Sequence, residues 1–198
     1  MPRKPKGKLE RDADHKYTVD GKPIPGVTSV IANCGLSDFS MVKQEILELA
    51  QLRGTYVHAT CQFFDEGDLV EDSLSPTLRP YLEAWKKFRK DTGFKPTKIE
   101  AMDYSATHWV AGQVDRIGLI RGAPAIVDIK PATFQRWWAL QVLGYALIFF
   151  PGKIPLLIDV ALLADGTYRI WQVEPKDFLD NRHMFLSALK TWNWKNKK

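Results

Sequence analysis

The chain has 198 residues, 45% hydrophobic and 26% charged, which is enough for one substantial core and too short to make two the natural reading. Its 28 Lys and Arg against 23 Asp and Glu leave a formal charge of +5, a balance compatible with a polyanionic partner such as nucleic acid. Two isolated cysteines, Cys34 and Cys61, argue against a disulfide scaffold or a cysteine metal site, and no apolar run approaches a membrane span. A soluble protein without a membrane partner is expected, in a bacterial or phage-infected cytoplasm or in an organelle.

The basic excess gathers at the two ends. Residues 1–16 read as a basic, disordered tail, residues 195–198 as a second one, and residues 17–194 as a single domain. The Asp20-Gly21 turn with Pro23 and Pro25 leads into the apolar stretch 27–31. From a cap at Ser37 or Asp38, the spacing of Val42, Ile46, Leu47, Leu49 and Ala50 predicts a helix. Gly54 is expected to interrupt it, with Thr55 capping a further helix through Phe64, so that His58 falls in a first turn. Ser75-Pro76 opens the next predicted helix, with Leu78, Leu82, Trp85 and Phe88 or Arg89 at helical spacing, and Gly93 closes it.

After Pro96 the apolar period shortens to two, predicting strands at 98–104, 109–120 and 125–130. A long helix is expected from Thr133 or Phe134 to Phe150, carrying Trp138, Gln141, Val142, Tyr145 and Phe149 at helical steps. Residues 156–163 and 168–173 read as a hairpin through Asp165-Gly166, and a closing helix is expected over 175–192. Together these predict an α/β fold: a central mixed sheet flanked by helices, with an N-terminal helical layer.

The chemistry concentrates in Ala125-Ile-Val-Asp-Ile-Lys130, where alternation places Ile126, Asp128 and Lys130 on one face of an apolar strand. An unpaired ion there would be heavily penalised, so something polar must face the strand. The turn at Arg121 to Pro124 allows Asp115, in Gly112-Gln-Val-Asp115, to come beside Asp128. Two converging carboxylates with a backbone carbonyl form a hard site suited to Mg2+ or Mn2+, with Lys130 as a point charge beside it. Glu100 is either a third acid or a solvated strand residue. Gln141 and Tyr145, one helical turn apart, are either the polar part of an amphipathic face or groups that orient the lysine or a substrate phosphate. Trp137, Trp138, Trp192 and Trp194 read chiefly as core, with stacking on unpaired bases as the alternative. No phosphate-cradling glycine loop or dinucleotide fingerprint competes with this site.

Five segments occur in a recognisable order: Gly26-Val-Thr-Ser-Val-Ile31, Arg53-Gly-Thr-Tyr-Val-His58, Gly112-Gln-Val-Asp115, Val127-Asp-Ile-Lys130 and Gln141-Val-Leu-Gly-Tyr145. In this order the chain resembles the PD-(D/E)xK nuclease superfamily, within it the RecB-like exonuclease branch that includes phage recombination exonucleases and the mitochondrial genome maintenance exonuclease. The resemblance implies a restriction-endonuclease-like core and a Mg2+- or Mn2+-dependent deoxyribonuclease acting in recombination, repair or replication. It implies metal ligation by His58, Asp115, Asp128 and the Ile129 carbonyl, with Lys130 activating or positioning water. It further implies that Gln141 and Tyr145 support the site and that Thr28, Ser29 and Arg53 approach substrate phosphates. Pro131-Ala132 departs from the Thr or Ser that commonly follows the lysine. The expected partner is DNA, single-stranded or with accessible ends, and a recombination or single-strand-binding protein is a candidate second partner. A structure-specific or restriction-like endonuclease and a non-catalytic nucleic-acid-binding recombination module are the alternative functions.

Overall fold

A computed structural model describes residues 7–37, 42–131 and 133–197. Residues 1–6 of the expected N-terminal tail, the alternative cap Asp38, Ala132, and residue 198 of the expected C-terminal tail lie outside them.

The chain begins with a three-stranded antiparallel sheet, β1 (Leu9–Arg11), β2 (Tyr17–Val19) and β3 (Lys22–Ile24). Asp20 (φ 48°) and Gly21 (φ 74°) make the two-residue turn between β2 and β3, whose positive φ angles match the twist of a tight hairpin. Order therefore starts earlier than the expected boundary at residue 17. Leu9 packs with Tyr17, Val19, Ile24 and Tyr104, and this small apolar cluster fixes a segment whose composition alone reads as a tail.

The apolar stretch after Pro25 forms α1 (Val27–Asn33), and a 23-residue helix, α2 (Gln44–Glu66), follows. The expected break at Gly54 does not occur, so His58 stands well inside one continuous helix rather than in a first turn. A lone interior Gly costs only about 1 kcal/mol relative to Ala. Thr55, expected as a cap, donates its hydroxyl to the Gln51 carbonyl at 3.1 Å, a bond made within a helix rather than at its start. The next helix, α3 (Arg79–Thr92), begins four residues after Ser75, whose carbonyl accepts the amides of Leu78 and Arg79 in a preceding turn. Gly93 ends it at φ 70°, as expected.

Five strands make the central sheet in the order β4 (Phe94–Ser105), β5 (Val110–Ile120), β6 (Ala123–Lys130), β7 (Leu156–Leu162) and β8 (Tyr168–Gln172). Only β6 and β7 are parallel, and α4 (Trp138–Phe149) is the crossover between them. This helix starts at Trp138, four or five residues later than expected. A closing helix, α5 (Phe178–Lys195), packs on α4 and α1.

Strand alternation divides the core between the two faces of the sheet. Ile117, Ile126 and Leu157 pack with Val142, Leu143 and Ala146 of α4. Val127, Ile129, Ile158 and Val160 pack with Val57 and Cys61 of α2 and with Trp85 and Phe88 of α3. Cys61 is fully buried there, a packing residue as expected. The fold is thus α/β, with a five-stranded mixed sheet between helices and a three-stranded sheet beside it. Asp128 and Lys130, in phase with Ile126, point toward α4.

Candidate metal and catalytic site

The antiparallel ladder between β5 and β6 runs as far as Arg116 opposite Val127. One step further, a side chain replaces the backbone partner: Asp115 Oδ2 accepts the Ile129 amide at 2.7 Å. The carboxylate thereby satisfies a buried N–H at the point where the strands part. His58 Nδ1 of α2 reaches the same Oδ2 at 3.4 Å. Glu100 of β4 completes a group in which His58, Glu100 and Asp115 each offer a ligand atom, all within 4.8 Å of one another.

Glu100 has φ 47°, uncommon for a residue with a side chain, and the β4–β5 pairing passes over it, from Ile99 opposite Arg116 to Ala101 opposite Val114. Its two carboxylate oxygens accept from Gln113 Nε2 and from an Arg116 guanidinium nitrogen, both at 2.9 Å. Between the two earlier readings, the structure places Glu100 with the acid cluster, not among solvated strand residues.

Asp128 is 1% exposed and ion-paired with Lys130. That pair apart, neither of its carboxylate oxygens has a hydrogen-bond partner among the described residues. Lys130 Nζ also donates to Gln141 Oε1 at 2.9 Å, and Gln141 Nε2 donates to the Tyr145 hydroxyl at 2.9 Å. The one-turn spacing on α4 thus becomes a relay of hydrogen bonds that ends at the lysine. Gly112 makes room for it, since a Cβ there would lie 2.9 Å from Tyr145 Cε1.

Burial opposes ionisation of all these carboxyls, and their neighbours then divide them. Burial and the adjacent Asp115 push Asp128 up to about 6. Burial opposes ionisation of Asp115 as well, but His58, Lys130 and the Ile129 amide outweigh it and bring Asp115 down to about 2. Burial and Asp115 raise Glu100. Burial alone would lower His58, yet Asp115 and Asp128 leave it raised. Two carboxylates sharing one site cannot both ionise freely, and a divalent cation removes that conflict. Oxygen donors, one imidazole and a buried Asp128 carboxylate ion-paired with Lys130 form a set that could hold a divalent cation.

The remaining expected residues lie nearer the rim. Arg53, exposed on α2, donates to the Pro131 carbonyl at 3.5 Å and so reaches the loop that leaves Lys130. Thr28 is exposed on α1 and Ser29 half-buried, and among the described residues no hydrogen bond joins either to the acid cluster. Ile129 enters through its amide; its carbonyl remains an expectation from the resemblance.

Three residues of the site region were not singled out by the sequence reading. Arg116, fully buried, donates through Nε to Asp65 Oδ2 at 2.6 Å and through one terminal nitrogen to Glu100 and to the Asp115 carbonyl. Asp65, seven residues after His58 on α2, also accepts from Arg89 at 2.6 Å and from the Trp85 indole at 3.0 Å. Asp159 lies directly beside Asp128 in the parallel register and is 2% exposed. An acid inside the apolar run Leu156-Leu-Ile-Asp-Val-Ala-Leu162 was the available signal for Asp159, by the same reasoning that marked Asp128. Asp65 offered none.

No family model and no curated protein matches the chain. Among solved structures, it is similar to a crystal structure titled "putative exonuclease" from Eubacterium rectale, with a TM-score of 0.50 and 15% identity over 89% of this chain and 77% of that one. At that identity the likeness is one of fold.

Proposed function

We propose that the protein is a Mg2+- or Mn2+-dependent deoxyribonuclease of the PD-(D/E)xK type, RecB-like in its helical histidine, hydrolysing DNA from ends. The observation that carries this reading is the convergence of His58, Glu100 and Asp115 within 4.8 Å, beside the Asp128–Lys130 pair, where β5 and β6 part. The exonuclease name of the structural neighbour, and the lack of a helix long and apolar enough to cross a membrane among the described residues, agree with it.

In this reading His58, Asp115, Asp128 and the Ile129 carbonyl hold the cation, with Glu100 as a further acid. When bound, the cation supplies positive charge to the phosphoryl group and acidifies water. The protein's own groups do the rest. Lys130, steadied by Asp128 and Gln141, holds the attacking water and offsets negative charge as the phosphorus becomes five-coordinate. Tyr145 and Gln141 keep the ammonium aimed. Arg53, at the rim, holds a neighbouring phosphate through its planar fork. Thr28 and Ser29 are assigned to phosphate contact on the resemblance alone. A role in recombination, repair or replication follows the same resemblance.

The test is linear DNA labelled separately at each end, beside circular single-stranded DNA, each with Mg2+, Mn2+ or chelator. Metal-dependent shortening from one end with the circle intact is expected. Cutting of the circle would make the enzyme an endonuclease, and intact substrates with both metals would leave a nucleic-acid-binding module.

A further inference from the structure

A cavity of about 370 Å3 opens on the α4 face of the sheet next to the acid site, bordered by Phe134, Arg136, Ala139, Asp159, Trp171 and Asp177. Phe134 and Trp171 stack on each other at 5.0 Å with 21° between their planes, and both meet Trp138 edge-on, at 5.7 and 5.8 Å. Lys130 Nζ lies 5.7 Å from the Trp138 ring, so this aromatic wall begins at the lysine itself. Phe134, on the cavity lining, is 40% exposed and so leaves ring surface open to a further contact.

Asp159 gives the cavity its polar character. Its Oδ1 is buried without a hydrogen-bond partner among the described residues, although the side chain stands beside Asp128 on the next strand. A buried polar atom left unpaired is costly and calls for an explanation. Asp177 and Asp180 add acid to the rim against Arg136 alone, which disfavours a phosphate as the occupant. A flat, neutral, hydrogen-bonding ring suits a wall of aromatic rings and a carboxyl acceptor.

We propose that this cavity receives an unpaired nucleobase of the DNA strand being cut, stacked on the Phe134–Trp171 wall and hydrogen-bonded to Asp159. The inference rests on the nuclease reading and extends it: the substrate is single-stranded at the nucleotide next to the scissile phosphate. It also gives the enzyme a preference among bases. The Asp159 carboxyl accepts from the exocyclic amine of cytosine and, in its protonated form, also donates to the adjacent ring nitrogen N3, whereas thymine presents two weakly accepting carbonyls around a single ring N–H.

The experiment compares oligo(dC) and oligo(dT) for the wild type, Asp159→Asn, Trp171→Ala and Phe134→Ala. Hydrolysis is measured with Mn2+, and equilibrium binding with chelator. The wild type is expected to prefer oligo(dC) by about fivefold or more, the low end of what one specific base contact provides. Asp159→Asn replaces the carboxyl with an amide, which can match neither the charge of the ionised group nor the strong O–H donor of the protonated one, and should bring that ratio toward one. The ratio is internal to each variant, so a change in overall activity beside Asp128 does not obscure it. Trp171→Ala and Phe134→Ala should weaken binding of both polymers by about fivefold or more, the scale of one stacked base. An unchanged dC/dT ratio in Asp159→Asn, or unchanged binding in both aromatic variants, overturns the proposal even if DNA is degraded normally. Base-selective binding lost in these variants, with no hydrolysis by the wild type, would sustain the cavity while defeating the nuclease reading.

Discussion

Lys130 is held by one carboxylate and one amide, a division of labour that separates binding from chemistry. Lys130→Ala removes a cation from beside the proposed metal seat, so Mn2+ affinity should stay within a few-fold or rise. Turnover should fall by about two orders of magnitude or more, the usual scale for a positioned acid-base or electrostatic group. Single-turnover rates near wild type would remove Lys130 from the mechanism. Arg116 makes a contrasting case, since it touches two carboxylates and a carbonyl with one planar group. Arg116→Lys keeps the charge but loses the fork, leaving Asp65 or Glu100 short of a partner in a buried place. The expected cost is about 1–3 kcal/mol in urea unfolding, with weaker Mn2+ binding by calorimetry as Glu100 loses its anchor. An Arg116→Lys variant as stable as wild type would show that the guanidinium geometry is dispensable.

At the scale of elements, two glycines predict opposite outcomes. In α2, a Cβ at Gly54 would meet only Pro131 Cγ, at an ordinary 3.8 Å. Gly54→Ala should therefore stabilise the protein by about 0.5–1 kcal/mol, seen as a rise in Tm of about 1–4 °C. In β5, a Cβ at Gly112 would press on the Tyr145 ring at 2.9 Å. Gly112→Ala should destabilise by about 1–3 kcal/mol and lower turnover by disturbing the Tyr145–Gln141–Lys130 relay. A Gly112→Ala variant of wild-type stability and rate would mean that the tyrosine's place is not set by this strand. The same pair of glycines marks what was legible in the sequence. The period-two pattern located β4, β5 and β6, and the acid and lysine within β6 announced the site, because a charge in an apolar strand is a local anomaly. Gly54 misled because a breaker's effect depends on the length of helix around it, which tertiary packing of Val57 and Cys61 decides. The first sheet was missed because Leu9 finds its apolar partners only once Tyr104, far along the chain, is in place. Arg116 and Asp65 were invisible for the same reason: an ion pair 51 residues apart leaves no local pattern.

For the molecule as a whole, the site's cost appears as a dependence of stability on pH. Burial and Asp115 raise Asp128 from 3.8 to about 6, so between those values the folded state binds more protons than the unfolded chain, and stability falls as pH rises. Asp159, raised by burial and by Asp128, and His58, raised by Asp115 and Asp128 against burial, have the same sign: each favours the folded state when protonated, and loses that contribution as pH climbs through its folded value. Asp115 has the opposite sign, but its contribution is lost only as pH falls from 3.8 toward about 2. In chelator, the Tm contribution of this cluster should therefore decrease from about pH 5 to about pH 7.5. A divalent cation reverses the trend, because it replaces the protons and needs Asp128 ionised and His58 neutral to bind. The Mn2+-induced rise in Tm should then be larger near pH 7.5 than near pH 5, and Asp128→Asn should flatten both the pH trend and the metal response. Thermal unfolding of the two proteins at both pH values, with and without Mn2+, reads all of these at once. Equal metal shifts at the two pH values, or a metal response undiminished in Asp128→Asn, would place the cation away from the junction of β5 and β6.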